Sequence, residues 1–223
     1  MAKVYVVGAN GRMGKLICEL VCETDGLELA GKFDVDNIEQ LDEVAPAADL
    51  VIDFSQPAAL SHVVAFVRRT GAALVCGTTG LSQDDLAQIQ SLGSQARVVW
   101  SSNYSIGVAV LRRLSVEAAH ALKDWDIEIV ETHHKMKLDA PSGTAKTIAE
   151  QVGDEVGRPI LAHSMRGGTV AGTHEVHFFG TDEEITFTHR ATSRRIFVAG
   201  AVECGKRLLT VEPGFYTFDD LMF

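Results

Sequence analysis

The chain has 223 residues, of which 46% are hydrophobic, and carries a formal net charge of −10 at pH 7. This size and composition suit one large domain or two small ones and exclude a disordered chain, while the acidic balance argues against nucleic acid as a partner. No run approaches the roughly 20 apolar residues that span a bilayer, and the N-terminus enters a strand-like segment without a cleavage signal, so we expect a soluble cytoplasmic protein with no membrane partner.

The cysteines indicate a reducing compartment. The four of them, Cys18, Cys22, Cys76 and Cys204, lack the paired spacing of a zinc site and the density of a disulfide scaffold. Cys18 and Cys22 lie one helical turn apart, which favours buried thiols in a packed helix over metal or redox chemistry. An anionic small molecule could still bind this acidic chain, but only at a local basic patch.

The first hundred residues alternate short apolar runs with helix-compatible stretches. Strands are predicted at residues 4–7, 27–33, 50–54, 72–76 and 98–100. Helices are predicted over 12–23, from 57 to about 69, and from a capping-box-like start at Ser82 and Asp85 to about residue 92. This alternation implies right-handed crossovers and a parallel sheet covered on both faces. We therefore predict a Rossmann-like, doubly wound α/β domain.

The pattern changes after Asn103. A helix-like stretch over 106–122 leads to the strand-like DIEIVE and then to a polar loop, after which Ser142 is placed to cap a helix over 143–156. The alternating segments HEVHFFG and EITFTHR are typical of antiparallel strands joined by a short acidic turn. A smaller α+β domain is therefore predicted. Periodicity does not assign a last helix, over about 193–209, to either domain.

The segment VYVVGANGRMG places Gly8, Gly11 and Gly14 between a predicted strand and a predicted helix, which is the context of a phosphate-binding turn. Gly8 permits the tight turn, Gly11 leaves room for a pyrophosphate, and the helix N-terminus supplies N–H groups and the positive end of its dipole. Asn10 stands where the common fingerprint has its second glycine. A plain strand-to-helix turn is therefore the alternative interpretation.

Asp34 follows the second predicted strand, twenty positions after Gly14. An acidic side chain there can accept hydrogen bonds from an adenine ribose; a solvated loop carboxylate is the alternative. The carboxylate would repel a 2′-phosphate, which favours NADH over NADPH, although Lys32 weakens that preference. Two further turns, GTTG at 77–80 and SSNYS at 101–105, follow strands of the same sheet and are placed to touch a cofactor.

The segment ETHHKMKLDAPSGTA at 131–145 gathers two histidines, two lysines and a Ser-Gly-Thr turn that opens a predicted helix. It supplies the local basic patch that an anionic ligand needs. Histidine titrates near neutrality and the pKa of lysine falls on desolvation, so either can donate a proton. The N–H groups of Gly143 and Thr144 can bind a carboxylate. These features suit reduction of an anionic unsaturated substrate by a nicotinamide.

Simpler interpretations stay open on the residues alone. One is that His133 and His134 merely end a strand while the nearby lysines are solvated. A metal site is disfavoured, because adjacent histidines on an extended segment point to opposite sides and no carboxylate or cysteine stands at a helpful spacing. His174 and His177, an i, i+3 pair on a strand, also face opposite ways, so structural roles are favoured and no metal is expected.

The same segment resembles the signature of 4-hydroxy-tetrahydrodipicolinate reductases, E-[AT]-H-H-x-x-K-x-D-A-P-S-G-T-A, and matches every fixed position of it. The segments VVGANGRMG, VIDFS, CGTTG, SNYSIGV, DWDIEIVETHH and HRATSR resemble family segments in the same order over nearly the whole chain. The resemblance implies NAD(P)H-dependent reduction of a small cyclic dicarboxylate, derived from aspartate semialdehyde and pyruvate, to tetrahydrodipicolinate with loss of water.

The resemblance also implies roles for individual residues. His133 would donate or accept a proton, Lys137 would donate one, and His134, Gly143 and Thr144 would hold the substrate carboxylates. The implied cofactor contacts are Gly8, Ala9, Asn10, Gly11, Arg12, Met13, Asp34, Gly77, Thr78, Thr79, Ser101, Ser102, Asn103 and Tyr104.

In this family the C-terminal helix returns to the nucleotide domain. The resemblance therefore implies a dinucleotide-binding domain from residues 1–103 and 194–223, a substrate-binding and oligomerisation domain from residues 104–193, and a homotetramer built through the second domain's sheet. Two departures bear on this. The region from Met165 to His174 is short, so the second sheet is expected to be reduced. Val35 stands where some relatives carry an arginine that would grip a 2′-phosphate, which again favours NADH.

Two other functions fit parts of the sequence. A reductase on the same two-domain plan with a different amino-acid-derived substrate would keep the glycine loop but would not need His133, His134, Lys137 and the Ser-Gly-Thr turn together. A non-catalytic NAD(H) sensor would carry a partner surface in place of a reactive pocket. Residues 104–193 contain no DNA-binding helix pair or basic stripe, which counts against the sensor.

Overall fold

The computed structural model describes residues 1–43 and 48–223. It divides into two compact units: Met1–Tyr104 together with Phe197–Phe223, and Ser105–Ile196. Within the described ranges, no helix has both the length and the apolar character needed to cross a bilayer.

The first unit is built on a six-stranded parallel sheet of order β10-β5-β4-β3-β1-β2. Its strands, numbered along the whole chain, are β1 (Ala2–Val7), β2 (Leu27–Phe33), β3 (Leu50–Asp53), β4 (Ala73–Cys76), β5 (Arg97–Trp100) and β10 (Gly214–Tyr216). Every residue of β3 and β4 is buried, because strands in the middle of such a sheet are covered on both faces. The predicted Rossmann-like α/β arrangement is confirmed.

The same unit contains six α-helices among the described residues. They are α1 (Arg12–Glu23), α2 (Gln40–Glu43), α3 (Leu60–Thr70), α4 (Gln83–Ser91), α7 (Arg195–Leu208, which enters this unit at Phe197) and α8 (Phe218–Met222). The predicted capping box of α4 is present: Ser82 Oγ accepts from the Asp85 N–H at 3.1 Å, and Asp85 Oδ2 accepts from the Ser82 N–H at 2.9 Å. Elements α2, β10 and α8 were not predicted, because three to five residues are too few to show a period.

The second unit packs two helices on one face of a four-stranded sheet of order β7-β6-β8-β9. The helices are α5 (Ile106–Ala121) and α6 (Gly143–Val156), and the strands are β6 (Asp126–His133), β7 (Leu161–Arg166), β8 (Thr173–Phe179) and β9 (Glu184–Arg190). The alternation of β6 and β8 turns Ile129, Val176 and Phe178, all fully buried, toward α6. The predicted antiparallel pairing of β8 and β9 is confirmed.

Strand β7 was not predicted. Its sequence LAHSMR lacks a clear alternation. Four of its six residues are exposed, because the strand lies at the edge of the sheet. It pairs in parallel with β6 and sets His133 opposite Arg166. This register decides the arrangement of the site described below.

Candidate functional site

The glycine turn joins β1 to α1 in the first unit. Gly8 has a φ of 79°, in the left-handed region that favours glycine. A Cβ at Gly14 would overlap the carbonyl oxygen of Gly8, so only glycine lets α1 pack this closely on the turn. Helix α1 begins at Arg12, and Gly11 before it gives no side-chain cap. The first N–H groups of α1 therefore have no side-chain acceptor at the N-cap, as a phosphate-binding turn requires.

Asp34 lies directly after β2 and beside this turn. Its Oδ2 accepts a hydrogen bond from the Asn10 N–H at 2.7 Å, and its Oδ1 accepts one from the Val35 N–H at 2.8 Å. With Gly8, Gly11 and Val35, Asp34 lines a cavity of about 300 Å³ at the carboxyl ends of β1 and β3. This is where doubly wound sheets bind ligands.

The turn after β4 is held by a carboxylate that the sequence analysis did not single out. Asp53, at the end of β3, is fully buried; its Oδ2 accepts from Thr78 Oγ1 at 2.9 Å and its Oδ1 from Ser55 Oγ at 2.5 Å. Burial raises the pKa of Asp53, and these hydrogen bonds oppose the rise. The Thr78 side chain therefore points to Asp53, while Thr79 is exposed.

The turn after β5 ends at Tyr104, which is 1% exposed. Its hydroxyl donates to the carbonyl of Cys76 at 2.8 Å, and its ring packs on Phe54 and Phe218 at 5.6 and 5.3 Å between centroids. The side chain of Tyr104 thus anchors the turn in the core. Ser101 Oγ donates to the Asn103 carbonyl at 2.8 Å, which shapes the part of the turn that stays accessible.

In the second unit, Glu131 and His133 lie two positions apart on β6 and therefore face the same side. Glu131 Oε2 lies 2.5 Å from His133 Nδ1. Arg166 binds the same carboxylate twice, from Nη2 to Oε1 at 2.7 Å and from Nη1 to Oε2 at 2.9 Å. The Ser142 N–H donates to Oε1 at 3.2 Å. The fully buried Glu131 carboxylate thus joins β6, β7 and the start of α6.

These contacts set the charges at the end of β6. Burial raises the pKa of Glu131, but hydrogen bonds from Arg166, Ser164 and His133 outweigh it and bring the pKa from 4.5 to about 2. The pKa of His133 is lowered, mainly by burial; Glu131 opposes this, and Lys137 and Arg166 add to it. Because an ionised carboxylate only accepts hydrogen bonds, Nδ1 of His133 is the donor in its contact with Glu131.

A second histidine lies against the first. The His174 ring is edge-to-face with His133 at 5.3 Å and stacked with His189 at 6.4 Å, and its Nε2 lies 3.3 Å from Ser142 Oγ. Burial, together with the charges of His133 and His189, lowers the pKa of His174 from 6.5 to about 4. His177 instead pairs with Thr186 Oγ1 at 3.0 Å. His174 and His177 face opposite ways, as predicted.

The loop after β6 holds Lys137 and His134. The Lys137 N–H donates to the His134 carbonyl at 3.1 Å and closes a turn. Lys137 Nζ lies 2.8 Å from Asp139 Oδ1, and this contact is the main reason that the pKa of Asp139 is lowered. His134 Nε2 lies 3.5 Å from Arg194 Nη2. Arg194 belongs to the segment HRATSR, and its position beside His134 was not predicted from the sequence.

Helix α6 begins at Gly143, and Ser142 caps it as predicted, with Oγ accepting from the Ala145 N–H at 3.2 Å. A Cβ at Gly143 would meet no described atom within 4 Å. The first turn of a helix attracts anions, and here that turn holds Gly143 and Thr144. Among the described residues, no group of three or more His, Cys, Asp or Glu side chains is placed to hold a metal ion.

The predicted site residues thus fall into two sets. In the second unit His133 ends β6, His134 and Lys137 lie in the loop that follows, and Gly143 and Thr144 open α6. All the predicted cofactor contacts lie in the first unit. Asp53, Arg166 and Arg194 were not predicted as site residues. The i, i+2 spacing of Glu131 and His133 on a strand was the one signal that could have revealed Glu131 as a partner of the histidine.

Both units of the chain match models of a known protein family. The family model described as dihydrodipicolinate reductase, N-terminus, matches residues 2–104, and the model described as dihydrodipicolinate reductase, C-terminus, matches residues 107–222. The 4-hydroxy-tetrahydrodipicolinate reductase of Xanthomonas campestris pv. campestris (strain B100) is 41% identical over 232 residues, covering 99% of this chain and 97% of that protein. The protein of the same name from Caldanaerobacter subterraneus subsp. tengcongensis is 37% identical over 247 residues, covering 100% and 98%.

A solved structure supports the fold. The dipicolinate-bound dihydrodipicolinate reductase from Paenisporosarcina sp. TG-14 aligns with a TM-score of 0.83 and covers 100% of both chains, at 21% sequence identity. At that identity the likeness shows a shared architecture.

Proposed function

The chain belongs to the dihydrodipicolinate reductase family, and from this membership we propose how its residues carry out the reaction. It is an NAD(P)H-dependent oxidoreductase that reduces 4-hydroxy-tetrahydrodipicolinate to tetrahydrodipicolinate in the diaminopimelate route of lysine biosynthesis. The observation that carries the assignment of residues is the stretch from the end of β6 to the start of α6, where His133, Lys137 and a helix N-terminus follow one another.

We infer that the first unit is the dinucleotide-binding domain. The uncapped start of α1 and the close packing at Gly14 fit a bound pyrophosphate, and the Asp34 carboxylate lies where it can accept from the adenine ribose. When bound, the nicotinamide supplies a hydride. The proposed contacts are Gly8, Ala9, Asn10, Gly11, Arg12, Met13, Asp34, Gly77, Thr78, Thr79, Ser101, Ser102, Asn103 and Tyr104. Thr78 and Tyr104 contribute through their backbone, because their side chains bond Asp53 and Cys76.

We propose a preference for NADH. Each oxygen of Asp34 accepts one backbone N–H and keeps a second lone pair for a ribose hydroxyl. A 2′-phosphate at the same place would face this carboxylate and the uncharged Val35, which is 83% exposed. A higher kcat/KM with NADH than with NADPH is the expected result.

The second unit is proposed to bind the substrate, a small cyclic dicarboxylate. His134 and the N–H groups of Gly143 and Thr144 hold its carboxylates, since a helix N-terminus favours an anion. No described atom lies within 4 Å of the place that a Cβ of Gly143 would occupy, so there is space for the ligand.

The reaction takes up one hydride and one proton and releases the 4-hydroxyl group as water. We assign the proton transfer to His133 and Lys137. Because Glu131 occupies Nδ1 of His133, the imidazole exchanges a proton through Nε2. His133 Nε2, which then carries a lone pair, accepts a proton and can return it, and the Lys137 ammonium, held by Asp139, is the donor of the proton that the reaction takes up. Both lie in the unit that binds the substrate.

We further propose that the chain forms a homotetramer through the uncovered face of the four-stranded sheet. Helices α5 and α6 pack on the other face, while Leu161, Met165 and Phe179 are exposed by 62%, 52% and 38%. Light scattering of the protein and of the double variant Leu161→Glu, Met165→Glu tests this, with a smaller species expected for the variant. We place the enzyme in the cytoplasm; its four cysteines are all free, which suits a reducing compartment.

The test of the function is oxidation of NADH or NADPH, followed by nicotinamide absorbance, with substrate generated in place by a synthase from pyruvate and aspartate semialdehyde. Oxidation that depends on the synthase is expected. His133→Ala and Lys137→Ala should each lower kcat by about a hundredfold or more while NADH binds as before. Unchanged turnover in both variants would overturn the mechanism, and NADH binding without turnover in the natural chain would favour a sensor.

A further inference from the structure

We propose that Glu131 and Arg166 form a charge-balanced pair that positions His133, keeping its Nδ1 protonated and its imidazole neutral so that Nε2 can exchange a proton. The proposal rests on the proposed function, because it assumes that His133 transfers a proton in the reaction. Neither Glu131 nor Arg166 touches the substrate in this proposal; both act through His133.

The geometry of the pair leaves little freedom to the imidazole. The carboxylate of Glu131 is fully buried and is held from three directions: by both terminal nitrogens of Arg166, by the Ser142 N–H and by His133 Nδ1. Arg166 is itself fixed, because its Nη2 donates to the Asp139 carbonyl at 2.7 Å. A bidentate arginine–carboxylate contact defines orientation better than any single hydrogen bond, so the His133 ring is held in one plane.

The charges matter as much as the geometry. A buried carboxylate alone beside a histidine favours the imidazolium form, which would leave Nε2 unable to accept a proton. Arg166 cancels the charge of Glu131 while leaving Oε2 in contact with Nδ1. The other groups that face His133 are Lys137 from the following loop and the neutral His174 from β8. Burial is the main cause of the lowered pKa of His133; Glu131 still favours the imidazolium, and the charges of Lys137 and Arg166 oppose it.

A purely structural role does not explain the pair. The fully buried carboxylate of Glu131 and the partly buried guanidinium of Arg166 cost desolvation free energy, and well-packed apolar residues of similar size often stabilise a fold at least as well. The double variant Glu131→Gln, Arg166→Met tests this directly, because it removes both charges and leaves no unpaired ion. We expect it to unfold at a denaturant concentration close to that of the natural chain, with kcat lower by about tenfold to a hundredfold and KM for the dicarboxylate changed by less than about threefold.

The single variants should move the pKa of His133 in opposite directions. Glu131→Gln removes the anion and should lower it further; Arg166→Met leaves the anion unbalanced and should raise it above its value in the natural chain. If Arg166→Met does not fold because its carboxylate is buried alone, Arg166→Lys restores one positive charge without the bidentate contact and should give a smaller rise. Glu128→Gln is the matched control on the same strand, since Glu128 faces away and pairs with His163.

The measurement is NMR of ligand-free enzyme with ¹⁵N-labelled histidine, which reports both the protonated ring nitrogen and the pKa. Protonated Nδ1 in His133, with opposite pKa shifts in the Glu131 and Arg166 variants, is the expected result. Protonated Nε2 in the natural chain, or the same pKa in every variant, would overturn the proposal. Because this readout needs no turnover, a failure of the reductase assay with the NMR pattern intact would reject the proposed function and leave the pairing standing.

Discussion

Gly14 lies so close to Gly8 that a Cβ at position 14 would overlap the Gly8 carbonyl oxygen and the Cα of Ala9. The overlap is with backbone atoms, so no side chain can move to relieve it. Gly14→Ala should therefore push α1 away from the turn, at a cost of about 1–3 kcal/mol of unfolding free energy, and should weaken NADH binding by about tenfold or more. Fluorescence titration of NADH and thermal unfolding measure the two effects.

Gly167→Ala is the control for this change. Gly167 has no positive φ, and a Cβ there would meet no described atom within 4 Å. We expect NADH affinity and thermal unfolding like those of the natural chain. NADH affinity that is equally unaffected in Gly14→Ala would argue that α1 does not present its N-terminus to the cofactor.

Tyr104→Phe should show whether the Tyr104 hydroxyl only stabilises the turn after β5 or also contacts the cofactor. The lost hydroxyl donates to the Cys76 carbonyl, which keeps a second donor in the Ser101 N–H at 3.1 Å. The expected cost is therefore only about 1 kcal/mol, and NADH affinity should stay within about threefold of the original. Tyr216→Phe, whose hydroxyl is on the surface and donates to the Glu212 carbonyl, serves as the control. A large loss of NADH affinity at unchanged stability would mean that the Tyr104 hydroxyl touches the cofactor.

The fold could be predicted because its signals are local. The apolar runs at β1, β3 and β4 are buried on both faces, so each of them is visible in the sequence without knowledge of its neighbours. Strand β7 escaped because an edge strand is half solvated and needs no apolar alternation. Strand β10 and helix α8 are too short to show a period, and both depend on packing against distant segments.

In the candidate site too, only the residues with local signals could be predicted. His133, His134 and Lys137 could be found because they crowd one segment of an otherwise acidic chain. Arg166 could not, because it lies 35 positions from Glu131 along the chain and meets it only through the parallel register of β6 and β7. Asp53 was hidden for another reason: its strand shows as a continuous buried run, and a carboxylate at the end of such a run gives no sign of its partners.

Val35→Arg should shift the cofactor preference. Val35 is 83% exposed beside Asp34, so an arginine there costs no packing, and its guanidinium can bind a 2′-phosphate. We expect the ratio of kcat/KM for NADPH to that for NADH to rise by about tenfold. Val35→Met controls for size without charge and should leave the ratio unchanged. The same ratio in the natural chain, in Val35→Arg and in Val35→Met would mean that the adenine ribose does not bind beside Val35.

The buried His174 should make stability fall in mild acid. Its pKa is about 4 in the folded chain against 6.5 for an ordinary histidine, so unfolding takes up a proton between these values. The contribution to stability is fully present above pH 6.5 and is lost as the pH falls toward 4, by up to about 3 kcal/mol. Urea unfolding of the natural chain and of His174→Gln at pH 7, 6, 5 and 4 measures it.

His174→Gln should lose less stability over this range than the natural chain. The pKa values of His133 and His189 are also lowered by burial, so both proteins keep part of the dependence, and the difference between the two curves isolates His174. His177→Gln provides the same substitution on the opposite face of the same strand and should follow the natural curve. If His174→Gln and the natural chain lose stability in parallel, His174 takes up a proton in the folded state near its ordinary pKa, and its side chain cannot be as buried as the packing against His133 and Ser142 requires.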